Sequence, residues 1–240
     1  MARVLVGHLA EGPQVLRGDA YHHLARVLRA KVGDEVTLFD GGGREAEARV
    51  TRIWPTEILL EVAPVRSSAP APVAITLVVA LLKGEKMDWV VQKATELGVA
   101  RIAPAASANA VVKLDGERRA GRRARWEKIA ADAARQCGWA DVPEITEIRD
   151  IAAALATGPG WRVLFHEALR DASLRRLLPV DRPSEVTVAV GPEGGFAKDE
   201  VEIARRAGYV VSGLGPRILR AETAALVALA LIGFALGDLA

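Results

Sequence analysis

Two glycine-rich turns near the end of the sequence carry the residues whose types and spacing could do chemistry. The first, GPEGGF, begins at Gly191 and follows the apolar run EVTVAV at residues 185–190. Glycine permits a left-handed backbone and a close approach of the chain to a bound molecule. A turn of this kind between a buried strand and a helix is where α/β proteins bind small anionic or nucleotide-like ligands. By itself the pattern is also typical of an ordinary tight turn, so it leaves the ligand open.

A second strand-to-helix turn, GLGPRILRAETA, spans residues 213–224 and adds charged side chains. Two such turns after neighbouring strands would line one crevice beyond the carboxyl edge of a parallel sheet. Arg217 and Arg220 follow its Gly-Pro pair, and Glu222 and Thr223 stand at the predicted start of a helix. A carboxylate there favours the helix dipole and a hydroxyl can cap the helix, so capping is the alternative to a role in a site.

Several other kinds of site lack their sequence signatures. The histidines are scattered and Cys137 is the single cysteine, so no pair has zinc-ligand spacing and we expect no metal. The sequence contains no Gly-x-Ser-x-Gly elbow of a hydrolase. GPEGGF also lacks the Gly-Lys-Ser/Thr ending of a P-loop and the Gly-x-Gly-x-x-Gly spacing of a dinucleotide site.

From residue 73 onwards the pattern alternates between strands and helices. This alternation predicts an α/β domain with a mostly parallel sheet. The predicted strands are 73–82, 101–107, 162–167, 185–192 and 209–215, and the predicted helices are 86–99, 117–137, 150–156, 198–207 and 221–236.

The first 65 residues predict a small, strand-rich unit. A hairpin of 35–40 with 44–53 is followed by a strand at 57–65, and a helix at 19–30 is capped by Asp19 and stopped by Gly33. The Ser/Ala/Pro-rich stretch RSSAPAPV then predicts a linker. We therefore expect an N-terminal domain at 1–66, a linker at 67–72 and a C-terminal domain at 73–240.

Composition predicts a globular protein of the cytoplasm. Half of the 240 residues are hydrophobic and 26% are charged, which is enough apolar side chain for a sizeable core. The single cysteine fits a reducing compartment. The longest apolar run, residues 224–236, is shorter than the roughly 20 residues of a membrane helix, and we expect no membrane partner.

The formal net charge is only +2, yet ERRAGRRARWEK at 117–128 holds five arginines and one lysine against two glutamates. This run fits either a solvated helix face or a phosphate-facing surface.

The two turns together resemble the SPOUT methyltransferases, closest to the RsmE family, which methylates uridine N3 in 16S ribosomal RNA. The motif pair GPEGGF…DE and LGPRILRAETA carries the resemblance. It extends over nearly the whole chain, since residues 22–41 are similar to the PUA-like RNA-binding domain and residues 81–104 to the entry of the catalytic domain. The chain departs from the family at Ala197, Ala221, Trp139 and residues 107–113, which bear on the RNA contact more than on the cofactor site.

The resemblance implies a C-terminal SPOUT α/β domain with a deep trefoil knot, a small β-rich PUA-like domain before it, and S-adenosylmethionine as cofactor. It implies cofactor contacts at Leu164, Phe165, Gly191, Pro192, Glu193, Gly194, Gly195, Leu214, Gly215, Ile218, Leu219, Thr223 and Ala224. For Leu164 and Phe165, burial in the core is the alternative. Because uridine N3 must lose a proton before it attacks, we assign Arg220 to stabilise the resulting anion. Glu222 or water would accept the proton.

RNA contacts are expected mainly on the 19–30 helix. His22, Arg26 and Arg29 are spaced i, i+4, i+7 and share a helical face, with Leu24, Val27 and Leu28 toward the other; Arg217 adds a contact at the second turn. The partners implied are 16S rRNA in the small ribosomal subunit and a second copy of the chain, held through the apolar 221–236 helix. The alternatives are a SPOUT methyltransferase acting on another RNA position and an RNA-binding module without catalysis.

Overall fold

The computed structural model of the protein describes residues 2–111, 116–169, 174–237 and 239. The chain divides into two compact units. Unit 1 contains the residues up to 70 together with 131–142, and unit 2 contains 71–130 and the residues from 143 onwards. The sequence gives no sign that 131–142 groups with the first unit, and the domain boundaries expected above stay a prediction.

Unit 1 is built on one mixed sheet. Its strands are β1 (Ala2–Leu5), β2 (Gly12–Leu16), β3 (Glu35–Phe39), β4 (Arg44–Ile53), β5 (Ile58–Val62) and β6 (Arg66–Ser67). The order is β1-β3-β4-β5-β2, with β6 beside β4. The β3–β4 hairpin and β5 confirm the predicted elements, whereas β1 and β2 were not predicted. The short β6 occupies the first two residues of RSSAPAPV, where the sequence predicts only a linker.

The core of unit 1 follows from alternation along the strands. In β4 the side chains of Ala46, Ala48 and Val50 are buried while Glu47 and Arg49 between them are exposed, as a half-buried strand requires. These residues form one apolar cluster with strands β1, β3 and β5 and with Leu24 of the helical segment.

The helical segment of unit 1 is not the regular helix predicted for residues 19–30. It consists of a short helix α1 (Gly18–Tyr21) and a π-helix at His22–Val27. Asp19 lies inside the first turn, and the N-cap position is held by Arg17 without a side-chain hydrogen bond. Because a π-helix advances by more residues per turn than an α-helix, side chains spaced i, i+4, i+7 do not keep one face.

Unit 2 contains a seven-stranded sheet in which every strand pair is parallel. Its strands are β7 (Ala74–Ala80), β8 (Arg101–Ala106), β9 (Glu144–Ile145), β10 (Arg149–Asp150), β11 (Trp161–Phe165), β12 (Glu185–Val190) and β13 (Val210–Ser212). Its helical elements are α2 (Lys86–Glu96), α3 (Gly116–Cys137, which continues into unit 1), α4 (Ile151–Ala156), α5 (Leu174–Leu177), α6 (Lys198–Arg206) and α7 (Ala221–Leu236). The α/β pattern predicted from residue 73 is confirmed, and the bounds predicted for α7 are those observed; β9, β10 and α5 were not predicted.

The sheet order places three strand ends side by side. The order runs β10-β8-β7-β12-β11-β13, with Phe165 of β11 in register with both Val190 of β12 and Ser212 of β13. Since the strands are parallel, the segments that follow β11, β12 and β13 emerge at one edge of the sheet. Helix α7 packs against α2 and β12. Within the described part of the chain, no helix is long and apolar enough to cross a membrane.

Candidate functional site

A cavity of about 510 Å³ opens in unit 2 at the carboxyl edge of the sheet. This volume falls in the range of about 300–1,000 Å³ that is typical of small-molecule sites. Its walls come from three segments at the ends of neighbouring strands: residues 165–167 at the end of β11, residues 190–195 at the end of β12, and residues from the segment after β13 and the first turn of α7. Lys86 of α2 completes the walls. The crevice predicted from the two glycine-rich turns is therefore present.

Most of the residues predicted for the site lie on this cavity. They are Phe165, Gly191, Pro192, Glu193, Gly194, Gly195, Leu214, Gly215, Arg217, Ile218, Leu219, Arg220 and Ala224. Lys86, His166, Glu167, Val190 and Ala221 also line it and were not predicted. Lys86, His166 and Glu167 come from segments whose closeness depends on the sheet order, which the sequence alone does not provide, whereas Val190 and Ala221 directly adjoin predicted residues.

Leu164, Glu222 and Thr223 are not part of the cavity wall. Leu164 is fully buried and belongs to a core cluster with Val78 and Ala189. Neighbouring residues of a strand point to opposite faces of the sheet, so the prediction that Leu164 and Phe165 both form the wall was wrong for Leu164. Thr223 and Glu222 lie in the first turn of α7 behind the wall.

The Gly-rich turn, residues 191–195, needs glycine at its last position. Gly195 has φ of +70°, and a Cβ atom there would run into the carboxylate of Glu167. The Gly195 amide donates a hydrogen bond to the Pro192 carbonyl at 2.9 Å, which closes the turn. The backbone can therefore face the cavity without a side chain in between.

The buried carboxylate of Glu200 supports this turn indirectly, through residues 107–109. Glu200, only 3% exposed, accepts hydrogen bonds from Ser107 Oγ at 3.0 Å and from the Ala108 amide at 2.8 Å. Asn109 Nδ2 in turn donates to the Gly195 carbonyl at 3.2 Å. The SANA stretch, noted in the sequence only as a departure from the family, thus supports the Gly-rich turn.

Two arginines on the cavity wall, Arg217 and Arg220, are exposed. Neither takes part in an ion pair or side-chain hydrogen bond among the described residues. Arg220 is the N-cap residue of α7 with an extended backbone, and its carbonyl accepts the Ala224 amide at 2.8 Å. The backbone of Arg220 is fixed by the helix start while its guanidinium remains available to a ligand.

Lys86 joins two carboxylates next to the cavity. Its Nζ lies 3.1 Å from Glu193 Oε1 and 3.3 Å from Glu222 Oε2. The pKa of Glu193 is lowered: burial pulls it upward, but hydrogen bonds from its own amide, from Lys86 and from the Lys83 amide outweigh burial. The pKa of Lys86 is raised, first by its hydrogen bond to Glu193 and also by Glu222. A lysine in the first turn of a helix opposes the helix dipole, and this mismatch is the sequence signal that could have singled out Lys86.

The residues predicted to bind RNA lie in unit 1, except Arg217. His22, Arg26 and Arg29 are exposed, but the helical face assigned to them is wrong. Arg29 follows the π-helix with φ of +54°, so it is outside the helix. Val27 and Leu28, expected on the buried side, are 59% and 41% exposed, and of the three apolar residues only Leu24 is buried.

The arginine-rich run at 117–128 is largely engaged within the protein. Arg125 forms an ion pair with Asp88 at 2.7 Å, Arg123 pairs with Glu127 at 2.9 Å, and Arg119 donates to the Ile148 carbonyl at 3.3 Å. Trp126, buried in the same helix, donates to Asp88 at 3.0 Å. These contacts favour a structural surface over an RNA-binding one. In the described part of the chain, no group of three or more His, Cys, Asp or Glu side chains is placed to hold a metal ion.

Comparison with known proteins identifies both parts of the chain. Residues 69–233 match the family model of the RNA methyltransferase domain, and residues 16–63 match that of the RNA methyltransferase PUA domain. The ribosomal RNA small subunit methyltransferase E of Bacillus subtilis is 30% identical over 91% of this chain and 89% of its own length. That of Mycobacterium bovis is 32% identical over 91% of this chain and 85% of its own length.

Two solved structures are similar over nearly their whole length. The ribosomal RNA small subunit methyltransferase E of Neisseria gonorrhoeae, bound to S-adenosylmethionine, has a TM-score of 0.89 and 34% identity and covers 100% of both chains. A methyltransferase of Legionella pneumophila in complex with the same cofactor has a TM-score of 0.90 and 33% identity, with 98% of both chains covered. These neighbours confirm the expected SPOUT α/β trefoil-knot fold and PUA-like N-terminal domain, and both of them bind S-adenosylmethionine. The chain belongs to the RsmE family of ribosomal RNA methyltransferases.

Proposed function

We propose that the protein transfers the methyl group of S-adenosylmethionine to N3 of a uridine in 16S rRNA of the small ribosomal subunit, in the cytoplasm. The observation that carries the proposal is the single cavity formed by both signature turns, with two unpaired arginines on its wall. An RNA-binding module without catalysis would also use free cations, but it has no need of a cofactor-sized cavity beside them.

The residues of the cavity fit S-adenosylmethionine. The glycines of the turn leave backbone amides and carbonyls open to the ligand, and Leu214, Ile218 and Leu219 offer apolar contacts for the adenine ring. Phe165, Gly191–Gly195, Gly215 and Ala224 complete the proposed binding residues. When bound, the cofactor supplies a methyl group that its sulfonium already activates.

The protein's own part is to orient the uracil and to stabilise its anion. Uridine N3 carries a proton at neutral pH, and its loss places negative charge on the uracil carbonyls. We assign Arg220 to that charge, because a fixed cation outside bulk water stabilises a developing anion strongly. We propose water as proton acceptor. Glu222 remains the weaker candidate, since it lies behind the cavity wall and is paired with Lys86.

The test is an in vitro methylation assay on small ribosomal subunits, followed by nucleoside analysis by mass. Arg220→Ala should bind S-adenosylmethionine nearly as the wild type does. Its turnover under saturating substrate should fall about 10²–10³-fold, with partial rescue at higher pH, where more uridine is deprotonated. Arg220→Lys keeps the charge and should retain more activity than alanine. Full turnover of Arg220→Ala at every pH would contradict the role, and a methyl group at another atom would indicate another RNA position.

We further propose that the RNA meets unit 1 along residues 26–32, RVLRAKV. Arg26, Arg29 and Lys31 are exposed, no described ion pair engages them, and Val27 and Val32 are 59% and 63% exposed between them. Cations that contact phosphates beside apolar side chains that contact ribose or bases suit RNA. The positive φ of Arg29, the one such value among the described non-glycine residues, fits a strained position kept for binding. His22 and Arg217 remain proposed RNA contacts.

A homodimer through α7 is the third part of the proposal. One side of α7 is buried against its own unit, but Leu231 and Phe234 on the other side are 42% and 66% exposed. Trp89 of the neighbouring helix α2 is also 42% exposed. Exposed apolar side chains grouped on two packed helices mark an interaction surface, and a second copy of this helix pair would cover it.

A further inference from the structure

Lys86 connects two segments that the cofactor must contact at once. Glu193 belongs to the Gly-rich turn after β12, and Glu222 belongs to the first turn of α7. Both carboxylates approach the same ammonium group, at 3.1 Å and 3.3 Å. Glu193 has a further contact with the loop after β7, because the Lys83 amide donates a hydrogen bond to Glu193 Oε1 at 3.3 Å.

The two carboxylates share this one cation. Glu222 Oε2 is buried and accepts no hydrogen bond from the described residues. Among those residues, Lys86 is the one that forms an ion pair with it. The Glu222 side chain is 13% exposed and that of Glu193 26%. Two carboxylates this close repel each other when both are ionised, and an opposite charge between them removes the repulsion.

We propose that Lys86 is a positioning residue that neutralises Glu193 and Glu222 together and so holds the Gly-rich turn and the start of α7 at the separation that cofactor binding requires. The proposal uses S-adenosylmethionine as ligand but no step of the methyl transfer. Ordinary exposed ion pairs contribute little, but here one cation serves two carboxylates from separate segments, Glu193 on the cavity wall and Glu222 in the first turn of α7 behind it. Arg220 stands directly before α7, so the same contact also sets the place of the substrate-facing guanidinium.

Removing the cation should open the cavity in a pH-dependent way. In Lys86→Met the two carboxylates lose their shared cation and repel each other at pH 8, so the Gly-rich turn and the start of α7 move apart. Acidification favours the neutral form of any carboxyl group and so weakens the repulsion between the two side chains at pH 5.5. The other titratable side chains of the cavity wall are His166, Glu167, Arg217 and Arg220. They are the same in every variant, so comparison with the wild type at each pH removes their effect.

The experiment is calorimetric titration of the full chain with S-adenosylmethionine at pH 8 and pH 5.5. Lys86→Met should weaken binding at least about tenfold at pH 8, and clearly less at pH 5.5. Lys86→Arg should bind nearly as the wild type. The double variant Lys86→Met/Glu222→Gln, which removes one of the two repelling charges, should recover most of the affinity at pH 8.

Lys83→Met is the matched control, because the Lys83 side chain is exposed and lies outside the cavity wall; its affinity should equal that of the wild type. Wild-type affinity of Lys86→Met at both pH values would overturn the proposal. A loss that is equal at both pH values and is not recovered in the double variant would also overturn it, and would indicate direct contact between Lys86 and the ligand. Circular dichroism checks that each variant is folded; if Lys86→Met is not, Lys86→Gln and the double variant decide. Binding by the wild type separately tests the cofactor assignment.

Discussion

Replacing Gly195 by alanine should weaken cofactor binding by an amount that follows from its backbone. The residue has φ of +70°, where an L-amino acid costs about 1–2 kcal/mol more than glycine. The added Cβ would also meet the carboxylate of Glu167, but that side chain is 47% exposed and can move at little cost. The backbone strain therefore sets the magnitude.

The cost appears in the Kd to the extent that the turn of the variant relaxes in the free protein and regains φ of +70° in the complex. A cost of about 1–2 kcal/mol corresponds to a roughly 5- to 30-fold higher Kd for S-adenosylmethionine. Isothermal titration calorimetry measures it directly, and Gly195→Val should lose more because its branched side chain also fills the cavity.

Gly208→Ala provides the matched control. Gly208 has φ of +84°, and a Cβ there meets nothing within 4 Å. It follows α6 and lies outside the cavity wall, so this variant should lose stability but keep its cofactor affinity. Wild-type affinity of Gly195→Ala, or an equal loss in Gly208→Ala, would refute the reasoning.

Three further predictions concern the partners and the pH response. Phe234→Asp should give a monomer in analytical ultracentrifugation, and a folded dimer of this variant would exclude the interface. Ala228→Asp should instead unfold the chain, because position 228 is 0% exposed. Arg26→Ala with Arg29→Ala should lower the log–log salt slope of RNA binding by about 0.7–0.9 per lost phosphate contact, and an unchanged slope would show that residues 26–32 do not meet phosphate. The pKa of His23 is lowered from its ordinary value of 6.5, first by burial and then by the Arg135 guanidinium. Because the unfolded chain then binds the proton more readily, the free energy of unfolding should fall as pH drops below about 6.5. In urea unfolding, the free energy of unfolding of His23→Gln should depend less on pH than that of the wild type. An identical pH dependence would contradict this role of His23.

The elements of unit 2 were predictable because each one has a clear pattern in its own stretch of sequence. The bounds of α7 follow from an apolar run that begins after a Gly-Pro turn and ends before Gly237, and both were observed. The strands β7 and β12 are continuous apolar runs, which is typical of a parallel sheet covered on both faces. The motif residues at 191–195 and 214–220 could be placed on one cavity because parallel strand ends meet at one edge.

Unit 1 and the supporting residues were less predictable because they depend on contacts between distant segments. β1 pairs with β3 and β2 with β5, and neither short segment has a strong pattern of its own. The π-helix was missed because apolar spacing in HHLARV fits an α-helix equally well. Lys86 and Glu167 reach the cavity only through the order of the strands, and Leu164 was misplaced because it alternates with Phe165.

The parallel sheet of unit 2 also governs how the protein acquires its function in time. Its central strands β7 and β12 are neighbours, and Lys83 and Glu193, which follow them, are bonded although 110 residues separate them in sequence. Pairings of such long range require the closure of large loops, and the entropy of closure is lost before the new contacts stabilise the chain. Sheets of this kind therefore form slowly. Until they form, the apolar runs of β7 and β12 are exposed to aggregation. The cofactor cavity requires these strands to be paired, so the onset of cofactor binding during refolding reports when the sheet is complete.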